Sequence, residues 1–261
     1  MNKTLCRVIM FVVFILLYAP ILMLIVFSFN AGNSQTVWQG FSFRWYEELF
    51  RDRDIMQALW NTVSVGLISA VASTVVGTLA AIGIFGMKKS TRGLIMNATY
   101  LPVLNPDILT GISLMLVYGL LQLPFGLMTL CISHITFNIP YVILSVMPKL
   151  RQFNMSTYEA ALDLGARPLT AVRKVVLPEI MPGVFTGLIM AFTMSIDDFI
   201  ISYFTAGTGT RTLPLIVYAM TKRKITPKIN ALSTLMFITV LLLLIIVNVR
   251  RTPKKKMEER R

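Results

Sequence analysis

The stretch ALWNTVSVGLISAVASTVVGTLAAIGIF, residues 58–85, contains no charged side chain and is rich in Gly, Ala, Ser and Thr. An α-helix rises about 1.5 Å per residue, so about 20 apolar residues cross the ~30 Å hydrocarbon core of a bilayer. Small side chains let helices approach closely in lipid, where no hydrophobic force drives them together. Residues 58–85 therefore predict a transmembrane helix that packs against other helices.

Five further apolar stretches occur along the chain, at residues 8–29, 94–122, 128–147, 182–203 and 231–249. Of the 261 residues, 55% are hydrophobic and 14% are charged, and the mean hydropathy is +0.70. A soluble domain of this length needs more polar surface to cover itself. We therefore expect an all-α polytopic membrane protein with six transmembrane helices, forming a single domain over residues 1–261.

The connecting segments carry weaker patterns. Residues 41–50 combine aromatic and charged side chains, which predicts a short amphipathic helix at the membrane surface. Residues 213–220 are apolar but too short to span, and they predict an interfacial or re-entrant helix. The third apolar stretch contains Pro102 and Pro106, which interrupt helical hydrogen bonding.

Basic residues dominate the charge and are distributed unevenly. The chain has 25 Lys and Arg against 12 Asp and Glu, for a formal net charge of +13. Seventeen of the basic residues lie on one side of the predicted spans and eight on the other. The richer side is expected to be cytoplasmic, which places both termini and residues 149–179 in the cytoplasm. Because this charge lies between apolar segments and not along one soluble face, nucleic acid is not an expected partner.

Groups suited to catalysis or cofactor binding are few. Cys6 and Cys131 lie in or beside apolar runs, and their spacing suits neither a disulfide framework nor a metal site. His134 is the only histidine, and on an apolar helix near Thr136 and Asn138 it is expected to be a hydrogen-bonded core residue. The sequence has no G-x-x-x-x-G-K-[ST] phosphate loop. We therefore expect no cofactor, no enzymatic activity in this chain, and any ATP hydrolysis to occur on another chain.

The segment STYEAALDLGARP, residues 156–168, predicts a helix followed by a turn. Ser156 and Glu159 have the spacing of a capping box, and Gly165 is placed to end the helix in a left-handed conformation. Pro168 then suits the first turn of a second short helix, which Leu177-Pro178 is expected to end. From the residues alone, this segment is equally a solvated connector or a docking surface with a small, apolar face. That face would comprise Ala160, Ala161 and Leu164.

The same segment resembles the EAA signature of the permease subunits of ABC importers. The matching residues are Glu159-Ala160-Ala161, Gly165 and Val175-Val176-Leu177-Pro178, with Val175 where the family usually has isoleucine. The resemblance implies the type I ABC importer permease fold and a coupling helix that docks on an ATP-binding subunit. The coupling residues that it implies are Glu159, Ala160, Ala161, Leu164, Gly165, Leu177 and Pro178.

Three acidic residues, Asp107, Asp197 and Asp198, lie within the predicted spans. A carboxylate at membrane depth is costly and usually faces the helix bundle or a wet cavity. These acids either line a pathway for a cationic solute or pair with Ser, Thr, Asn or a basic group of a neighbouring helix. No Lys or Arg lies inside a predicted span.

The segments around these acids are similar to those of spermidine/putrescine importer permeases, specifically the second permease chain of that system. They are residues 105–108 (NPDI), 133–137 (SHITF) and 195–199 (SIDDF). The resemblance implies a polyamine substrate, a pathway that includes Asp107, Asp197, Asp198 and Phe199, and a bacterial inner-membrane location. It also implies a homologous second permease, two ATP-binding subunits and a periplasmic solute-binding protein as partners. The alternatives are another small cationic or amino-acid-like solute, or an ion-coupled secondary transporter.

Overall fold

The computed structural model describes residues 3–34, 36–222 and 226–251, which are almost entirely helical. The helices are α1 (Lys3–Phe27), α2 (Arg44–Arg51), α3 (Arg53–Gly86), α4 (Lys89–Leu104), α5 (Asp107–Leu120), α6 (Leu127–Gln152), α7 (Met155–Asp163), α8 (Pro168–Ala171), a π-helical turn (Val172–Val176), α9 (Leu177–Asp197), α10 (Ile200–Thr205), α11 (Leu213–Lys222) and α12 (Pro227–Arg251). An isolated antiparallel bridge joins Asn30 and Phe41. The prediction of an all-α protein is confirmed for the described residues.

The core of the molecule lies between α3, α6 and α9. Val142 of α6 is completely buried between Gly77 of α3 and Gly187 of α9. A Cβ atom added at Gly77 would lie 2.7 Å from the Val142 Cβ atom, so a larger residue there would push the two helices apart. The small residues of α3 thus bring the helices together as the sequence predicted.

A second apolar cluster closes one end of the bundle, and we call this end the Trp45 end. Its buried members are Trp45, Leu49, Ile55, Ala58, Leu213, Ile216, Ala231 and Leu232. The Trp45 indole donates to the Asn30 carbonyl oxygen over 2.7 Å, and the Lys228 ammonium is 2.5 Å from an Asp52 carboxylate oxygen. The C-terminus of α1 and the N-termini of α3 and α12 therefore meet at the Trp45 end.

The two short helices predicted outside the spans are both present. Helix α2 is amphipathic, with Trp45 and Leu49 buried and Phe50 exposed. Helix α11 covers Leu213–Lys222 and packs on α3 and α12. Both helices contribute to the Trp45 end, where they cover the ends of the long helices.

The predicted spans are only partly matched by continuous helices. Among the described residues, four helical stretches are long and apolar enough to cross a membrane: 4–27, 53–86, 127–152 and 168–197. Helices α4 and α5 would make a fifth span if the bent pair counts as one. Helix α12 coincides with the sixth predicted span, but its described apolar part ends at Leu242, so six spans remains a prediction.

Two of the predicted spans are broken. The interruption of the third was predicted from its prolines, of which Pro106 lies at the break and Pro102 lies inside α4. The interruption of the fifth was not predicted. The third stretch, residues 94–122, forms α4 and α5, which meet at an angle of 100° around Asn105 and Pro106. Proline cannot donate a backbone hydrogen bond and disfavours helix in the residue before it, so the helix ends there. The fifth stretch, residues 182–203, is interrupted after Asp197, where Asp198 has an extended backbone.

Candidate functional site

The segment that resembles the coupling helix forms an exposed turn, which we call the Gly165 turn (residues 154–171). Helix α7 begins after Asn154, whose side-chain oxygen accepts a hydrogen bond from the Ser156 amide over 3.1 Å. The predicted capping box of Ser156 and Glu159 is therefore wrong, because Asn154 already occupies the capping position and Ser156 lies in the first turn. Asn is as good a cap as Ser, so the sequence allowed both.

Gly165 ends α7 as predicted. Its φ angle is +84°, a left-handed conformation that L side chains rarely adopt. The Gly165 amide donates to the Leu162 carbonyl oxygen over 2.9 Å, and the Ala166 amide donates to the Ala161 carbonyl oxygen over 3.0 Å. These two bonds form a Schellman motif, which satisfies carbonyl groups left free at the helix end.

Apolar side chains project from the Gly165 turn. Leu164 is 90% exposed and Leu169 is 82% exposed, on either side of Gly165. Glu159 and Ala160 are exposed, and Ala161 is half-buried. Leu169 was not among the predicted coupling residues, although an apolar residue between Pro168 and Thr170 in a polar segment was a usable signal.

The helix that starts at Pro168 continues through Leu177-Pro178, which corrects the expected stop there. Helix α8, the π-helical turn and α9 form one stretch of 30 residues, Pro168–Asp197. The Leu177 amide donates to the Val172 carbonyl oxygen, the wider spacing of a π-helix. Pro178, which has no amide proton to donate, is the second residue of α9 and directly follows this π-helical turn. Leu177 is half-buried in the core, whereas Pro178 is exposed.

At the far end of that stretch, the Asp198 carboxylate closes the break between α9 and α10. One oxygen accepts from the Ile201 amide over 3.2 Å. The other accepts from the Ser202 amide over 2.8 Å and from the Ser202 hydroxyl over 2.9 Å. Asp198 therefore satisfies amide groups that the start of α10 would otherwise leave unpaired.

His134 of α6 supports this cap from across the bundle. Its Nε2 atom lies 3.4 Å from an Asp198 carboxylate oxygen and 3.2 Å from the Ser202 hydroxyl. The exposed fractions of the His134 and Asp198 side chains are 2% and 8%. His134 is thus the buried, hydrogen-bonded residue that the sequence predicted. Its pairing with Asp198 was not predicted, because Lys and Arg were the expected basic partners and none lies inside a predicted span.

Asp197, the neighbour of Asp198, has the opposite environment. Its side chain is exposed, and no other described residue pairs with it or donates a hydrogen bond to it. It lines an open cavity of about 400 Å³ between α9, α11 and α12, together with Phe199 and Tyr218. Of the two adjacent acids, Asp197 is therefore the one available to a ligand.

Asp107 lies at the break in the third stretch, and this break is close to the break in the fifth stretch at Asp198. It is the first residue of α5, is exposed, and lies within electrostatic range of Asp198 and Tyr141. Helix α5 packs on α10 so closely that a Cβ atom at Gly111 would lie 2.8 Å from the Phe204 ring. The structure thus gathers the three predicted acids around two helix breaks.

This arrangement is suited to attracting a cation. The last carbonyl groups of a helix lack intrahelical partners and form its negative end, so the C-terminus of α9 adds to the charge of Asp197. Discontinuous helices with such ends bind ions and solutes in membrane transporters. Among the described residues, no three His, Cys, Asp or Glu side chains come close enough to hold a metal ion.

The fold and these features define the class of protein. The solved structure of a bacterial ABC transporter that imports the acidic polysaccharide alginate is similar, with a TM-score of 0.70 at 16% identity, covering 96% of each chain. The MetNI methionine ABC transporter is also similar, with a TM-score of 0.61 at 20% identity, covering 76% of this chain and 96% of that one. The chain therefore has the fold of an ABC importer permease, a multi-pass membrane protein.

Residues 73–251 match the family described as binding-protein-dependent transport system inner membrane component. The chain belongs to this family, whose members are transport subunits and not enzymes. The putrescine transport system permease protein PotI of Escherichia coli (strain K12) is 39% identical over 236 residues, covering 87% of this chain and 84% of that protein. The spermidine/putrescine transport system permease protein PotC of Haemophilus influenzae is 35% identical over 237 residues, covering 91% and 92%.

Proposed function

We propose that this chain is a permease subunit of an ABC importer that takes up putrescine or spermidine across the bacterial inner membrane. Relatives with these substrates in their names match most of the chain at 35–39% identity. The exposed Asp197 at a helix break is the single structural observation that best supports a cationic solute. The proposed partners are a homologous second permease, two ATP-binding subunits and a periplasmic solute-binding protein.

We propose a topology of six spans with both termini in the cytoplasm. Helix α1 ends and helix α12 begins at the Trp45 end, so Lys3 and Arg251 lie at the opposite ends of these two helices. The Gly165 turn follows α6. The first turn of α6 contacts Thr205, and its last turn packs in the core beside Val176. A cytoplasmic Gly165 turn agrees with the excess of Lys and Arg on that side.

In this proposal the Gly165 turn docks on an ATP-binding subunit through its exposed leucines. Burying Leu164 and Leu169 against a partner would remove from water two side chains that are 90% and 82% exposed in this chain. Glu159, Ala160, Ala161 and Gly165 form and flank that surface. Leu177 and Pro178 belong instead to the helix that leaves it.

Movement of the turn would reach the membrane through the continuous stretch Pro168–Asp197, a length of about 45 Å at 1.5 Å per residue. ATP binding would bring the two ATP-binding subunits together, and the docked turns would move with them. A rigid-body rotation of the spans then opens the cavity to the outside to receive solute. Asp197, Asp107 and Phe199 would line the pathway, and Asp198 would keep the break in shape and add negative charge.

Purification tests this proposal. The chain should co-purify from the membrane with an ATPase and a second permease, and the complex should import putrescine only with ATP. Uptake by the chain without an ATPase, driven by an ion gradient, would contradict the proposal and favour a secondary transporter.

A further inference from the structure

The cavity beside Asp197 has an aromatic wall, to which Phe199 of the predicted pathway and Tyr218 from outside it both contribute. The Phe199 and Tyr218 rings lie 4.6 Å apart between centroids, tilted by 41°. The Tyr203 ring packs against both of these rings without lining the cavity, 5.6 Å from Phe199 and 6.0 Å from Tyr218. Tyr218 belongs to α11, the short helix that cannot itself span the membrane.

Among the described residues that line this cavity, Asp197 is the one charged side chain. The polar members of the lining are Asp197, Tyr218, Thr221 and Ser233, and no Lys or Arg of the described residues lines the cavity. A volume of about 400 Å³ lies in the range of small-molecule sites, roughly 300–1,000 Å³. A carboxylate beside aromatic ring faces is suited to an alkylammonium group, which pairs with the acid and is attracted by the negative face of each ring.

The chain itself shows that one of these rings accepts such a group. The Lys222 ammonium lies over the Tyr218 ring, 5.4 Å from its centroid. A lysine side chain ends in a primary ammonium on a four-carbon stem, which is chemically the end of an aliphatic diamine. The Tyr218 ring is therefore one over which a primary ammonium group can lie, and a substrate ammonium would take the place of Lys222 there.

We propose that Asp197, Phe199 and Tyr218 form a subsite for one primary ammonium group of the solute, in which Tyr218 is a specificity-determining residue. This inference rests on the proposed function. The carboxylate supplies the opposite charge, and the rings replace part of the water that an ammonium group loses on entering the membrane. The subsite retains the solute after its release from the binding protein, so that each ATP hydrolysed carries solute inward.

The test measures putrescine imported per ATP hydrolysed, in proteoliposomes that contain the complete importer and saturating loaded binding protein. Tyr218→Leu removes the ring and is expected to lower this ratio by about 3- to 10-fold, from the usual strength of a cation–π contact. Tyr218→Phe retains the ring and should stay within about twofold of wild type. Tyr18→Leu is the matched control, because Tyr18 is 46% exposed against 38% for Tyr218 but lies on α1.

The outcomes separate the subsite from the wider proposal. An unchanged ratio in Tyr218→Leu, or an equal fall in Tyr218→Phe, would overturn the subsite. So would parallel losses of uptake and ATP hydrolysis at a constant ratio, since these indicate a structural role. If the wild-type complex imports no putrescine, the proposed function itself fails and the subsite fails with it.

Discussion

The Gly165 turn and the break at Asp198 both interrupt the helical chain, but they are built differently. The turn is closed by neighbours in sequence, with Asn154 capping one end of α7 and Gly165 ending the other, and its leucines face solvent. The break is closed by Asp198 and by His134 from another helix, and both side chains are buried. An exposed interruption can bind a partner, whereas a buried one fixes the shape of a site.

The largest expected effect separates the two aspartates at the break. Asp198→Ala leaves the Ile201 and Ser202 amides and His134 without their buried acceptor, which should cost about 2–4 kcal/mol. The thermal midpoint of the solubilised complex is expected to fall by roughly 5–10 °C, and uptake is expected to be lost. Thermal unfolding and putrescine uptake are the measurements.

Asp197→Ala is the matched control for that variant, since it removes the same group one residue earlier from an exposed position. It should leave the thermal midpoint unchanged while uptake falls. Equal loss of stability in both variants would contradict the assignment of a structural role to Asp198 and a binding role to Asp197. Asp198→Asn, which retains an acceptor but no charge, should fall between the two in stability and should also lower uptake.

The next effect concerns backbone conformation at the turn. Gly165→Val forces a β-branched residue into a φ of +84°, at a cost of about 1–3 kcal/mol, although a Cβ atom would meet nothing within 4 Å. We expect inserted, folded permease whose ATP-driven uptake is reduced tenfold or more. Gly93→Val is the control, because Gly93 also has open space around it but has no positive φ. Similar uptake in both variants would contradict the docking role.

A smaller effect is expected at the exposed leucines. Leu169→Ser should weaken association of the ATP-binding subunit by at least about tenfold, because a leucine buried on docking contributes roughly 1.5–3 kcal/mol. The amount of ATPase that co-purifies with the chain is the measurement. Leu120→Ser changes a leucine that is 84% exposed at the end of α5 and should leave association unaltered. If Leu169→Ser binds the ATP-binding subunit as well as wild type does, Leu169 is not part of the docking surface.

The smallest expected effect is on the pH dependence of stability, and it concerns Asp52 and Lys228 at the Trp45 end, away from both interruptions. Burial alone would raise the pKa of the Asp52 carboxyl, but the hydrogen bond and charge of Lys228 and the amides of Ile55 and Asp54 together lower it below its ordinary 3.8. The carboxylate's stabilising contribution is therefore present above about pH 4 and is lost as pH falls through the lowered pKa. The pair is partly exposed, so we expect less than about 1 kcal/mol.

This pH dependence is measurable as the thermal midpoint of the complex at pH 7, 5 and 3. Lys228→Gln should reduce the fall between pH 5 and pH 3, because Asp52 then loses the partner that lowers its pKa. An unchanged pH profile in Lys228→Gln would show that Asp52 contributes nothing through this pair. Neither the Gly165 turn nor the Asp198 break should be affected.

The two interruptions also differ in how far the sequence could predict them. Gly165 and Pro168 specify the turn through local backbone preferences, and only the choice between Asn154 and Ser156 as cap was wrong. At the break, Asp198 caps amides three and four residues ahead of it, which is a local pattern. The support from His134, which lies 68 residues before Ser202 in the sequence, has no local pattern to indicate it. Pro106 indicated an interruption in the third stretch, but the 100° angle depends on the packing of α5 against α10.

The most direct test of the account is uptake of radiolabelled putrescine by proteoliposomes that contain the complete importer, measured together with ATP hydrolysis. The wild-type complex should import putrescine only with ATP and loaded binding protein. The complex with Asp197→Asn should still hydrolyse ATP but import at least several-fold less putrescine. Uptake without ATP, or unchanged uptake by Asp197→Asn, would contradict the account.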